Sequence, residues 1–293
     1  MFKNTLVFCL LIIIISCSQK DKTKLKGYNT KYFKNGNIKE KLYLGNNVFD
    51  SLPIEIIGEE KIEIDSAKVC FFNDSTNRKI GSIDLFYDNR QKTIVYYLNG
   101  VIGREGFSQD TLATDEWKYY SKEGVLETIT EFKIIKGKSY VNQEWYLDKI
   151  GDTIGGYFFK PMYKDTITLN SSLKAFILLS ATFNKHEKSK IMVCTSNLDS
   201  IDFNEDFSNE DDIALTCAYD METNKDNKNL IKGIDYNLSA IIQKKIKTLG
   251  KKRVRGIIYE YLVRDKDSLG LDKALENAHK MYFEIPVFVK DSI

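Results

Sequence analysis

Three short stretches of the chain share one register. "YFKNGNIKEKLYL" (32–44), "YYLNGVIGREGF" (96–107) and "YSKEGVLETITEF" (120–132) each carry a tyrosine four residues before a glycine and an aliphatic residue two after it. The triplets are Tyr32/Gly36/Ile38, Tyr96/Gly100/Ile102 and Tyr120/Gly124/Leu126. An aromatic strand, a tight turn that needs positive φ at glycine and a return strand make a β-hairpin. Asn35-Gly36 and Asn99-Gly100 are among the strongest local hairpin signals a sequence offers. A single hairpin is marginal in water, whereas consecutive ones pack their aromatic faces together and build a twisted meander. The repeat therefore commits this part of the chain to antiparallel sheet.

A looser fourth copy, "EWYLDKIGDTIGGYFF" (144–159), has Leu147 in place of the tyrosine before Gly151 and Ile154 three residues after it. Its turn, Asp148-Lys149-Ile150-Gly151-Asp152, reads as a bulged loop. Between the first two copies Ile54, Ile56, Ile62, Ile64, Ile83 and Leu85 alternate with polar residues, the period-two signature of half-buried strands. These motifs resemble the MORN-like repeat variant, whose units run roughly "YYxNGxxxxxxxY". The resemblance covers residues 28–160 with a divergent middle at 45–92, and it implies a ribbon of hairpins. Members of that family often carry the label of antitoxin components. That label fits poorly with an exported chain, whose cytoplasmic toxin would lie across a membrane, and it serves here as a family name rather than a function.

Export is the expectation from the first residues. Lys3 is followed from Thr5 by a run of almost pure Leu, Ile, Val and Phe ending at Ser16, too short to span a bilayer as a stable helix. Ile14-Ile15-Ser16-Cys17 resembles the bacterial lipobox. In that family the cysteine thiol is acylated, the peptide ahead of it is removed and the new amino terminus is acylated in turn, so residues 1–16 form a signal peptide and Cys17 the lipid attachment site. Three acyl chains, at about 0.8 kcal/mol per buried CH₂, exceed what stable membrane attachment needs. Residues 17–27, polar and lysine-rich, read as a flexible tether. Ser18 is neutral where an aspartate would favour the inner membrane in enteric bacteria, which points to the outer membrane.

Net charge is only +2, so there is no electrostatic reason to expect a nucleic-acid partner. Seventeen Tyr and 17 Phe against 3 Pro favour strands throughout. Residues 161–293 read as a second, β-rich and sandwich-like domain with at most one or two short helices. "AFILLSATFN" and "KIMVCTSN" flank "KHEKS" as a further hairpin, and "VRGIIYEYLVRD" and "KMYFEIPVFVKD" read as central strands, with Pro286 at an edge or bulge. "NLSAIIQKKIKTLGKKRVRG" reads as a short helix stopped by Gly250, its basic end a polar face or a contact for anionic headgroups. The closing strands are similar to those of uncharacterised Bacteroidetes-group lipoproteins. Beyond Cys9 and Cys17 the cysteines are Cys70, Cys194 and Cys217, an odd set that argues against a disulfide framework. Cys194 and Cys217 are open to pairing or to burial as small hydrophobes.

Motifs of known chemistry are missing. His186 and His279 lack neighbours at zinc spacing, and there is no GxSxG, GxxxxGK[ST] or strand-linked GxGxxG pattern. The acidic stretch with Asp199, Asp202, Glu205, Asp206, Glu210, Asp211 and Asp212 lacks EF-hand spacing and its glycine, and reads as a solvated loop. No catalytic, cofactor-binding or metal residue is assigned. Glu144 beside Trp145 and Glu260 between Tyr259 and Tyr261 are the acids that a carboxylate-pair mechanism would draw on. The expected function is thus a lipid-anchored, non-catalytic binding or scaffolding protein of the bacterial envelope, contacting protein or glycan through its ribbon. The alternatives are an envelope glycan hydrolase and an antitoxin-like or immunity-like partner of an exported toxin.

Overall fold

The computed structural model describes residues 28–44, 64–73, 79–197, 202–224 and 233–291. The leader, Cys17, the tether, Ile54, Ile56, Ile62 and Asp199 lie outside them. The chain is mainly β, with 17 strands and two short α-helices among the described residues. It divides into two compact units, Met1–Asp88 and Asn89–Ile293.

In the first unit β1 (Tyr28–Tyr32), β2 (Ile38–Leu44), β3 (Ser66–Phe71) and β4 (Ile80–Phe86) pair antiparallel in sequence order. Ala67 faces Leu85 and Val69 faces Ile83 across β3 and β4, and all four are buried. Ile64, buried as well, lies just ahead of β3 rather than within a strand.

The second unit opens with β5 (Gln91–Tyr96), β6 (Ile102–Gln109), β7 (Leu112–Tyr120), β8 (Leu126–Ile135), β9 (Lys138–Leu147) and β10 (Thr153–Tyr163), a hairpin meander. Its repeat turns, and the one in the first unit, share one geometry. The first residue donates its N–H to the carbonyl four residues on, and the glycine donates back: Phe33/Asn37, Tyr97/Val101, Ser121/Val125 and Asp148/Asp152. Gly36, Gly100, Gly124 and Gly151 sit at φ +87°, +89°, +88° and +91°, and the register slips beside each turn. This is the three-residue hairpin loop closed by a glycine bulge. Side chains supply the remaining bonds: Asn35 and Asn99 each accept from the N–H two residues on, whereas Ser121 and Asp148 do so from the first position. Asp148 thereby gives the loosest copy the same turn without tyrosine or asparagine. At the opposite ends, Asp110-Thr111 (φ +48°, +70°) and Lys136-Gly137 (φ +49°, +73°) form two-residue turns.

The chain continues with β11 (Thr166–Thr168), β12 (Ser172–Ala181), β13 (Ser189–Ser196), β14 (Leu215–Tyr219), β15 (Ser239–Lys245) and β16 (Gly250–Leu262). The helices α1 (Val263–Leu269) and α2 (Leu271–Glu276) then lead to β17 (His279–Lys290). The meander sheet gains β12 and β15 beyond β10, while β11, β17, β16, β13 and β14 form a second sheet, in that order. Leu173, Ala175, Ile177 and Leu179 of β12 meet Met281, Phe283, Ile285, Val287 and Val289 of β17 in one buried core, each set at period two. Fully burying side chains of this kind contributes about 1.5–3 kcal/mol each.

Two sequence expectations are corrected, and a third point that the sequence left open is decided. First, β12 and β13 are not a hairpin: β12 pairs with β10 and β15, and β13 with β14 and β16. Ile177 and Leu179 face Ile191 and Val193 across the shared core, so the strands stack and loop 182–188 crosses between sheets. Second, the segment read as a helix is β15 and the start of β16. Ala240, Ile242 and Ile246 turn inward at even spacing, and seven pairings with β12 outweigh a helical spacing that β-branched isoleucines support poorly. The helices lie instead at α1 and α2. Third, Cys194 and Cys217 face each other across β13 and β14 and form a disulfide; Cys70 is free. Pro286 pairs with Arg253 of β16, and β11 covers β17 only from Phe288 onward. Tyr282 and Phe288 direct their N–H groups away from β16, and Pro286, on the same parity, has none to leave unpaired there.

Candidate functional site

The register of the meander sets two rows of side chains on one face. Trp117, Thr130, Glu144 and Tyr157 are successive cross-strand partners over β7 to β10, and Tyr119, Thr128, Tyr146 and Gly155 form the next row. Partners in register project from the same side of a sheet. At Tyr157 that side is buried against the second sheet. At Tyr119, Glu144 and Tyr146 it is only half-buried.

Glu144 is the centre of this face. Its Oε1 accepts from Thr130 Oγ1 at 3.3 Å and its Oε2 from the Tyr146 hydroxyl at 2.9 Å. The bond to Glu144 raises the Tyr146 phenol above its ordinary range, and burial raises Tyr119 and Tyr157. A phenol is protonated at neutral pH even without such shifts, and Tyr146 uses its proton on Glu144.

Loop 182–188 borders the face. Lys185 Nζ stands 4.6 Å from the centre of the Tyr146 ring, and Phe183, 51% exposed, stacks on His279 at 4.2 Å. His279 in turn meets Tyr157 edge-on at 4.8 Å. Glu260, fully buried and opposite His279 in the β16–β17 register, holds the loop by accepting from the N–H groups of Phe183 and Asn184 at 2.9 and 3.2 Å. A cavity of about 280 Å³ opens beside these residues, with Asn277 and Leu262 completing its wall. The His279 Nε2 is buried there without a hydrogen-bond partner, and burial lowers its pKa to about 4. The ring is neutral at physiological pH. The two acids singled out by sequence thus lie on different sheets, joined through Tyr157, His279 and Phe183, and each is closed by hydrogen bonds of the fold.

Other candidates fall elsewhere. His186 is exposed in loop 182–188. In the acidic stretch, Asp202 accepts from Ser196 Oγ, Asp211 pairs with Lys136, and buried Glu210 accepts from Lys280 and Tyr282. Among the described residues no group of three or more His, Cys, Asp or Glu side chains is placed to hold a metal ion, and no helix is long and apolar enough to cross a membrane.

One polar cluster had no signal in the sequence. Asn142, fully buried in β9, donates to the Tyr282 carbonyl at 2.9 Å and accepts from the Tyr282 N–H at 2.6 Å, acting as the missing neighbour of β17. It also donates to Glu131, as does Gln143, whose Oε1 accepts from Phe159 N–H.

No protein family, no curated protein and no solved structure matches this chain.

Proposed function

We propose that the chain is a lipid-anchored, non-catalytic binding protein of the bacterial cell envelope, held in the outer membrane through Cys17, and that it contacts a glycan or protein partner through the aromatic face of its hairpin ribbon. The observation that carries this reading is the double row centred on Glu144. Half-buried rings, neutral phenol and threonine hydroxyls and a carboxylate on one sheet face offer apolar stacking together with donors and an acceptor, the combination that polyhydroxylated ligands and polar protein surfaces require. Hydrolysis by a carboxyl pair needs one group free to deliver a proton and a second about 5–10 Å away. Glu144 has both oxygens engaged, and Glu260 is sealed under loop 182–188.

Two measurements test the reading. Cys17→Ser should abolish acylation and release the chain from membranes; firm membrane retention of the variant refutes the anchor. Tyr119→Ala combined with Tyr146→Ala should lower affinity for envelope glycan fragments, or crosslinking yield to a protein partner in intact membranes, about tenfold with circular dichroism unchanged. Undiminished binding refutes the ribbon face. A glycan-cleaving activity that Glu144→Gln removes would replace binding by catalysis.

A further inference from the structure

Two glycines let aromatic rings lie over the backbone of the ribbon face. At Gly106 of β6 an added Cβ would sit 2.3 Å from the Trp117 ring, and at Gly155 of β10 it would meet Tyr146 at 3.5 Å. Trp117 is fixed by donating from Nε1 to the Phe107 carbonyl at 2.7 Å, and Tyr146 by its bond to Glu144. Each ring carries a cation. The Arg104 guanidinium stands 5.9 Å from the centre of the Trp117 ring, and the Lys185 ammonium 4.6 Å from that of Tyr146. Arg104 is also the register partner of Tyr119, where burial raises the phenol pKa and the Arg104 charge opposes the rise. The row Arg104, Tyr119, Thr128 and Tyr146 therefore starts at one cation and ends beneath the other.

Charge decides what such a row can take. Arg104 and Lys185 are exposed, and among the described residues neither forms a salt bridge or a hydrogen bond. Glu144 is the one acid of the double row, and it offsets Lys185, which sits over the ring bonded to it. Arg104 is three strands from Glu144, about 14 Å at the usual interstrand spacing and beyond the screening length of about 8 Å at physiological salt. Its charge is left to a ligand. A guanidinium is a planar fork of N–H donors that matches a carboxylate. Rings over the sheet, with the Tyr119 and Thr128 hydroxyls beside them, suit the faces and hydroxyls of a sugar. An extended peptide gains its main-chain bonds at an open strand edge. Strands β6 to β10 are paired on both sides, so this face offers rings and side chains alone.

We propose that the ligand of the ribbon face is an acidic glycan, whose sugar rings lie on Trp117, Tyr119 and Tyr146 and whose carboxylates pair with Arg104 and, at the far end, with Lys185. The inference rests on the ribbon-face reading and deepens it by assigning the charge of the ligand.

The test is isothermal titration of the full chain, purified in a non-ionic detergent, with a short oligogalacturonate and with its methyl ester, which keeps the sugar chain and removes the charge. The acid should bind saturably and about tenfold or more tighter than the ester. Arg104→Gln/Lys185→Gln, two exposed positions, should weaken the acid about tenfold with circular dichroism unchanged, and Tyr119→Ala/Tyr146→Ala should weaken acid and ester alike. An ester that binds as tightly as the acid and still depends on the two tyrosines overturns the inference and leaves the ribbon-face reading standing. Undiminished binding of the acid in the tyrosine variant overturns both. Full affinity in Arg104→Gln/Lys185→Gln, or no saturable binding of the acid, overturns the inference. A short oligoglutamate that binds as tightly as the oligogalacturonate assigns an acidic protein partner and overturns the glycan.

Discussion

Replacing Asn142 by alanine removes a side chain that stands in for a strand. In the native chain it satisfies both backbone groups of Tyr282, at 2.6 and 2.9 Å, in a fully buried setting. Alanine leaves that N–H and that carbonyl unpaired at a buried position. Each buried orphan costs about 1–3 kcal/mol, so the variant should lose about 4 kcal/mol. For a unit the size of Asn89–Ile293, about 1 kcal/mol moves Tm by about 2–4 °C, and a drop of about 10 °C follows. Urea unfolding read by the fluorescence of Trp117 and Trp145, both in this unit, measures the loss directly. Amide exchange at Tyr282 should accelerate with it. Tyr140→Phe is the graded comparison: it deletes one hydroxyl that donates to the Lys280 carbonyl at 2.7 Å and should cost about 1 kcal/mol. A loss below about 1 kcal/mol for Asn142→Ala, with the fold retained, would refute the reasoning that the open edge of β17 depends on this amide.

Gly156→Ala should be far worse than Gly100→Ala, with thermal unfolding as the measure. Gly156 sits at φ +119° and an added Cβ would collide with the Glu144 carbonyl, whereas Gly100, at φ +89°, has open space around it and should cost only about 1–2 kcal/mol of backbone strain. His279 sets an acid limit. Its folded pKa, about 4, lies below the ordinary 6.5, so its contribution is intact above about pH 6.5 and is lost as pH falls towards 4. Discounted for partial exposure, the loss is about 2 kcal/mol. His279→Phe, which can keep the stack on Phe183, should remove that part of the slope in urea midpoints between pH 7 and 4; an unchanged slope counts against it.

The repeat turns were legible because their cause is local. A glycine at positive φ, with a side chain able to cap the turn, fixes a hairpin whatever it packs against, and Asp148 shows that the capping chemistry matters more than the letters of the motif. Period two in β12 and β17 likewise follows from one face meeting water or its partner sheet and the other a core. Segment 238–250 failed as a reading because its isoleucines satisfy either period, and only pairing with β12 broke the tie. Loop 182–188 failed because an apolar strand does not record whether its neighbour lies beside it or across the core.

The sequence by itself determined the antiparallel meander, the strand-rich class and the positions of the turns, since each depends on contacts a few residues long. Tertiary structure alone decided which strands stack, that Cys194 meets Cys217 and that Asn142 reaches Tyr282 from 140 residues away. Those outcomes depend on long-range register, and no local pattern of side chains specifies which distant partner will arrive.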